Sequence, residues 1–321
     1  MTGPRQTVLR LLEPVLSRAG SAYLVAGDRS AAIATAQRLL GCGADVTLAY
    51  WPGTGEPPAA VLAENLAVID QLQQPVGRPR LAVKAPAFGN ERGASRRLGQ
   101  EARDAGVGLV FDSHSPSEAD ASLALAEVAR GEGAQVGVAL PARWTRSAQD
   151  AATAAKAGLS VRLVKGQWPD GGSPRGPSGE RALRSSYLAL LDRLVDRRIP
   201  VSLATHDVVL LDAALARLGS AAVLGEVELL LGLSVRRPLD TAVRHGGRVR
   251  FYLGFGHPSL AYSLTSVLRR PRLARTLVQG LALGARNQQV QQREAYTGLE
   301  TEQLSHRSTP LRGRIHPLGR A

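Results

Sequence analysis

Eight short apolar runs, spaced 24 to 41 residues apart from start to start, constrain this chain more than any other feature. They are Val46–Tyr50, Leu81–Ala85, Gly108–Asp112, Gln135–Leu140, Ser160–Lys165, Val201–Thr205, Gly225–Leu230 and Val249–Leu253. Each is nearly continuous in apolar residues, the pattern of a parallel strand covered on both faces. Amphipathic helical patterns fill the intervals: Ala59–Leu72, Ala94–Ala105, Pro116–Arg130, Ser147–Ala157, Ser178–Arg198, Val208–Leu218 and Ser234–His245. Ser115-Pro-Ser-Glu118 and Ser178-Gly-Glu180 read as helix starts, with a capping hydroxyl ahead of a first-turn carboxylate. One strand, one helix and two loops need about 30 residues. The cadence therefore predicts an α/β fold, a (β/α)8 TIM-like barrel. An open doubly wound sheet is the competing architecture, but no strand runs into a Gly-x-Gly-x-x-Gly turn.

Around this barrel the sequence predicts three regions. Residues 1–45 form an N-terminal helical extension, with Thr7–Arg18 and Arg29–Leu40 amphipathic on either side of Ser21–Asp28. Residues 46–286 form the barrel and a long C-terminal helical segment from Ser259 to Ala285. Residues 287–321, rich in Arg and Gln without an apolar period, form a flexible tail.

Composition narrows the function classes. With 44% hydrophobic residues the 321-residue chain has ample apolar matter for a packed core. No stretch of about 18 uncharged apolar residues occurs, which excludes an ordinary transmembrane helix. Cys42 is the sole cysteine, so there is no internal disulfide, and a reducing, cytoplasmic setting is expected. A formal charge of +13 invites a nucleic-acid reading. However, acidic residues are interleaved with the basic ones, and aromatic residues make up only 4%, too few for base-stacking platforms. A solvated arginine surface, without specific nucleic-acid recognition, is the expectation. Of 40 basic residues all but Lys84, Lys156 and Lys165 are arginine. Where arginine is the default cation, a lysine in an apolar run, as at 84 and 165, suggests a need for its compact ammonium.

In barrels of this kind chemistry gathers at the C-terminal strand ends. Here these carry Lys84, then Asp112-Ser113-His114, Arg162 with Lys165, Thr205-His206, Glu226 with Glu228, and Arg250 with Tyr252. Taken singly, Asp112 reads as a helix cap, His206 as a satisfied rim histidine, and Arg250 as a floor residue paired with Glu226 or Glu228. Taken together, four strand cations (Lys84, Arg162, Lys165, Arg250) face three strand anions (Asp112, Glu226, Glu228). Buried charges need partners, so the surplus predicts an anionic ligand: a phosphate, a carboxylate, or a flavin that becomes anionic on reduction. Metal chemistry is not expected, because the six histidines are scattered and no His-x-x-x-His spacing occurs. A nucleophile elbow, Gly-x-Ser-x-Gly, is also missing.

Val161-Arg-Leu-Val-Lys-Gly166, Ala204-Thr-His206, Glu226-Val-Glu-Leu-Leu-Leu-Gly232 and Arg250-Phe-Tyr-Leu-Gly-Phe-Gly256 occur in that order on successive strands, after Leu81-Ala-Val-Lys84 and Val110-Phe-Asp112. From about Tyr23 to Pro271 the chain resembles the proline dehydrogenase family, flavoenzymes with a distorted (β/α)8 barrel. The resemblance implies bound FAD, lined by Ser113, Arg162, Lys165, Gly166, Gln167, Trp168, Thr205 and His206. It also implies that Lys84, Leu230, Tyr252 and Tyr262 meet the substrate, and that Asp112 and Arg162 serve the reaction. Peripheral membrane contact and a quinone electron acceptor follow from the same analogy.

The chain departs from the family in three places. Where the family has Tyr-x-x-Arg-Arg, whose arginine pair clamps the proline carboxylate, this chain reads Tyr262-Ser-Leu-Thr265-Ser266, and Arg269-Arg270 falls four residues later. Pro141 stands in place of a strand glutamine, and Trp168 in place of a tyrosine. Hydroxyls at 265 and 266 do not reproduce a bidentate clamp. The expected reaction is oxidation of a C–N bond in a cyclic or secondary amine other than proline, by hydride transfer to FAD. Three other readings stay open: a true proline dehydrogenase that recruits Arg269-Arg270, a barrel that binds a ligand or partner without turnover, and a nucleic-acid protein using its tail.

Overall fold

A computed structural model describes residues 24–53, 55–73, 77–166, 170, 179–223 and 225–257, and structural statements below concern these residues. The elements run β1 (Leu24–Ala26), α1 (Arg29–Gly41), β2 (Asp45–Trp51), α2 (Pro58–Gln71), β3 (Pro79–Lys84), α3 (Arg92–Ala105), β4 (Gly108–Asp112), α4 (Ala119–Gly131), β5 (Val136–Pro141), α5 (Ser147–Lys156), β6 (Ser160–Val164), α6 (Gly179–Asp196), β7 (Val201–Ala204), α7 (Val208–Ala221), β8 (Gly225–Leu230), α8 (Arg236–Arg244) and β9 (Arg248–Gly256). Short 3-10 turns at Ala85–Phe88 and Pro116–Glu118 lead out of β3 and into α4.

Strands β2 to β9 pair in parallel in sequence order, and β9 pairs with both β8 and β2, closing an eight-stranded barrel. The predicted fold class is therefore the observed one. The predicted N-terminal extension is not wholly helical: Leu24–Ala26 is a strand that pairs in parallel with Gly254 and Phe255 of β9. It can do so because β8 stops pairing at Leu230 opposite Tyr252, while β9 continues to Gly256. Three residues are too few to show a period, so this strand leaves no trace in the pattern. The expected final helical segment, the tail and the N-terminal helix before residue 24 lie outside the described residues.

Local chemistry sets the helix ends. Asp28 caps α1 by accepting the Ala31 amide at 2.9 Å, and Asp207 caps α7 through the Leu210 amide at 3.3 Å. Glu118 accepts the amides of His114 (2.9 Å) and Ser115 (3.2 Å), tying the end of β4 to the start of α4.

Side-chain alternation divides each strand between two cores. One set packs outward under the helices: Val46 and Leu48, Leu81 and Val83, Leu109 and Phe111, Val161 and Leu163, Leu203, Val227 and Leu229, Phe251 and Leu253. The other set lines the barrel, where Ala49, Ala82, Val110, Ala139 and Ala204 leave room for long charged side chains to cross. The interior thus holds two tiers of ion pairs. The floor tier is Arg250, fully buried, which donates to Glu226 at 3.0 Å and to the Val46 and Arg78 carbonyls at 2.6 Å each. Arg80 reaches across the same tier to Glu226 and to Ser202. Burial opposes ionisation of Glu226, but Arg250 and Arg80 outweigh it and bring its pKa down to about 2.

Candidate active site

The upper tier lies at the C-terminal ends of β3, β4, β6, β8 and β9. Asp112 sits at its centre, with Oδ2 accepting from Lys84 Nζ at 3.1 Å and Oδ1 accepting from Arg162 Nη2. Strand register explains the meeting: Lys84 and Asp112 are aligned across β3 and β4, and Arg162 lies on β6, opposite Ala139 of β5. The alanine lets the guanidinium pass over β5 toward β4. Burial alone would raise the Asp112 pKa, but the Arg162 and Lys84 charges hold it at about 2. Arg162 and Lys84 have raised pKa values despite burial, Arg162 chiefly because of Asp112 and Glu228, Lys84 because of Tyr252 and Asp112. All three groups are therefore ionised across the physiological range.

Aromatic rings complete the tier. The Lys84 ammonium lies 4.7 Å from the centroid of Trp51 and 3.5 Å from the Tyr252 hydroxyl, while the Arg162 guanidinium lies 5.0 Å from the centroid of Tyr252. Burial raises the Tyr252 pKa, so its hydroxyl stays protonated. His114, just past β4, is lowered to about 4 by burial and by the nearby Lys84, and is neutral at physiological pH. Glu228 is the fourth ion, 3.8 Å from Arg162 Nη1. Among the described residues neither of its oxygens has a hydrogen-bond partner, nor do Nε and Nη1 of Arg162 or Nε1 of Trp51, and all of these atoms are buried.

The remaining candidate residues are placed as follows. Ser113 lies half-buried after β4, and Leu230 half-buried at the end of β8. Thr205 is buried, its hydroxyl accepting the Asp207 amide at 3.2 Å. His206 accepts the Leu230 amide at Nε2 (2.9 Å), so Nδ1 carries the proton and donates to the Ser234 carbonyl (3.2 Å). Burial lowers its pKa against the opposing effect of that Ser234 bond, keeping it neutral. Gly166 has φ +90°, and a Cβ there would lie 2.8 Å from the Pro141 Cβ. Gln167, Trp168, Tyr262, Thr265 and Ser266 lie outside the described residues.

Lys165 is the residue that the barrel does not gather in. Strand alternation sends it to the outer side, where Nζ pairs with Glu180 of α6 and with Asp207 at 2.5 Å. Arg184 shares the same Asp207 carboxylate at 2.6 Å. The expected surplus of interior cations is thereby corrected. Lys165 leaves the count, while Arg80 and Asp45 enter it: Asp45 is buried, 3.7 Å from Arg250 and 2.5 Å from Arg248. Arg80, Lys84, Arg162 and Arg250 then face Asp45, Asp112, Glu226 and Glu228, four against four.

Trp51 and Glu228 belong to the upper tier; the sequence pointed to Glu228 as a strand anion without assigning it a role, and it did not point to Trp51. Trp51 was legible by parity, since Thr47, Ala49 and Trp51 share the face opposite Val46, Leu48 and Tyr50.

No protein-family profile matches the chain, and no curated protein matches it. Solved structures do. The chain is similar to proline utilization A (PutA) from Bdellovibrio bacteriovorus inactivated by N-propargylglycine, with TM-score 0.63 and 15% identity over 86% of this chain and 38% of that one. It is similar also to PutA from Corynebacterium freiburgense, with TM-score 0.60 and 15% identity over 90% of this chain and 34% of that one. A PutA mutant from Bradyrhizobium japonicum matches with TM-score 0.59 and 17% identity over 86% of this chain and 32% of that one. The chain thus spans about a third of the length of each. At such identities the likeness is one of fold, and the closed parallel barrel with its helical jacket is shared with these proline utilization proteins.

Proposed function

We propose that this chain is a proline-dehydrogenase-like flavoenzyme that oxidises a C–N bond of a cyclic or secondary amine, with FAD as the hydride acceptor and a substrate other than proline. The observation that carries this reading is the Lys84–Asp112–Arg162 bridge at the barrel mouth, with two Arg162 donors unpartnered. Buried donors without partners are rare unless something else supplies acceptors. The nitrogen and oxygen edge of a flavin is rich in acceptors, so this set fits the group. Bound FAD would supply a two-electron acceptor for the hydride. Among the described residues, Arg162 keeps polar groups for it, and Gly166 keeps the strand exit narrow.

The protein's own part is electrostatic. Asp112 and the Tyr252 ring hold Arg162 in one orientation with its charge intact, a fixed positive group that would help hold bound FAD and favour negative charge on it. Lys84 stays protonated and anchors Asp112 from the other side. Glu228 offers two unpartnered carboxylate oxygens, the chemistry that recognises an amine N–H. The hydroxyls of Thr265 and Ser266 replace the carboxylate clamp of the family, which favours an amine without that carboxylate.

The test is an absorbance spectrum of the purified protein, then anaerobic titration with cyclic and secondary amines. Flavin bands bleached by such an amine but not by millimolar proline support the reading. A colourless protein that FAD cannot reconstitute removes it. The second reading, proline itself as substrate, is favoured by the likeness to proline utilization proteins, and bleaching by proline would establish it.

A further inference from the structure

The arginines look evenly sprinkled along the sequence, but the fold concentrates some of them. At the N-terminal mouth of the barrel, the end opposite the Lys84 bridge, lies a cavity of about 530 Å³ lined by Arg78, Arg80, Arg130, Arg197, Arg198 and Arg248. Glu226 is the one carboxylate among its lining residues, and it is already taken by Arg80 and Arg250. Arg248 is held by Asp45. Arg130 and Arg197 donate to the carbonyls of Ala134 and Arg193 and form no ion pair among the described residues. Arg78 and Arg198 form no ion pair among the described residues. The mouth therefore carries a strong excess of positive charge in a concave space, and concavity focuses such a field.

The backbone adds a second observation. Arg198 follows α6 at φ +53°, in the left-handed region. Glycine or asparagine closes a helix in this way at little cost, whereas a longer side chain costs roughly 1–2 kcal/mol. The chain bears this strain at the position that sets a guanidinium on the rim of the arginine cavity.

We infer that this lower mouth is a binding site for a small polyanion of the oligophosphate class. Guanidinium groups match phosphoryl oxygens in bidentate fashion. Several groups spread around one cavity suit linked phosphates better than a single one, and the volume falls within the roughly 300–1,000 Å³ of small-molecule sites. This assignment is independent of the amine-oxidation reading, because it uses none of the upper-tier residues.

Isothermal titration of the full chain with inorganic pyrophosphate, at ionic strength held constant with sodium chloride, tests it. Saturable binding is expected, weakened by about tenfold or more in the double variant Arg78→Gln/Arg198→Gly and unchanged in Arg97→Gln, an exposed arginine on α3. Arg198→Gly also stands alone as a test, since glycine suits the left-handed backbone: it should keep or raise the melting temperature while weakening binding. Heat that fails to saturate, or an affinity that survives both Arg198→Gly and the double variant, overturns the assignment.

Discussion

Glu228 lies 3.8 Å from the guanidinium of Arg162, yet among the described residues neither of its carboxylate oxygens accepts a hydrogen bond. An ion so placed contributes charge without filling its lone pairs, which is costly in a folded chain unless a ligand completes it. Glu228→Gln keeps the shape and removes the charge. Amine-dependent flavin reduction in this variant should fall by about tenfold or more, with stability lowered by about 1–3 kcal/mol because Arg162 loses a compensating charge. Stopped-flow reduction and urea melts measure the two effects separately.

Removing the centre of the upper tier should cost more stability. Asp112→Ala leaves Lys84 and Arg162 as neighbouring buried cations. Breaking a buried pair in this way costs about 3–5 kcal/mol. Asp112→Asn keeps the hydrogen-bonding shape and should cost less. Denaturant unfolding of both variants ranks them.

Acid should find one buried carboxylate in each tier. Asp112 and Glu226 each have a folded pKa near 2, below their unfolded values of about 3.9 and 4.3. A depressed carboxylate pKa adds stability above the unfolded value and loses it as pH falls toward the folded one. Stability should therefore hold down to about pH 4.5 and then drop steeply toward pH 2. Melting curves across this window should show a flatter slope in Asp112→Asn/Glu226→Gln, from a lower plateau.

His206 braces the rim between β7 and β8 with both ring nitrogens. His206→Ala orphans the Leu230 amide, at a cost of about 1–3 kcal/mol. Nitrogen NMR of the wild-type ring should show the Nδ1–H tautomer and a protonation midpoint below the ordinary histidine value.

Gly166 marks a tight exit from β6. Gly166→Ala must place a methyl group 2.8 Å from the Pro141 Cβ on a left-handed backbone, so a loss of about 1–3 kcal/mol is expected in a thermal melt.

The barrel was legible because eight buried strands write themselves as eight apolar runs, and Lys84, Asp112 and Arg162 stood out as charges inside them. Arg80 and Asp45 were missed for a related reason. They sit at or near strand starts, ahead of the apolar runs at Leu81 and Val46, where they look like loop residues. Lys165 shows a rule applied too loosely. Alternation already placed it on the Leu163 side, away from Arg162, and its partners Glu180 and Asp207 come from 15 and 42 residues away. Glu228 was visible as a strand anion, but its lack of a hydrogen-bond partner is a tertiary fact that no spacing encodes.

The short strand β1, which lies outside the closed barrel, carries a consequence for handling the protein. A version shortened to begin at Arg29 would keep all eight barrel strands but leave Gly254 and Phe255 paired on one side only, with Ala49 and Tyr50 of β2. The backbone groups of β9 that faced β1 would form a short bare edge beside the rim, and bare edges recruit other chains. Such a shortened protein should self-associate as its concentration rises, even if its barrel is intact.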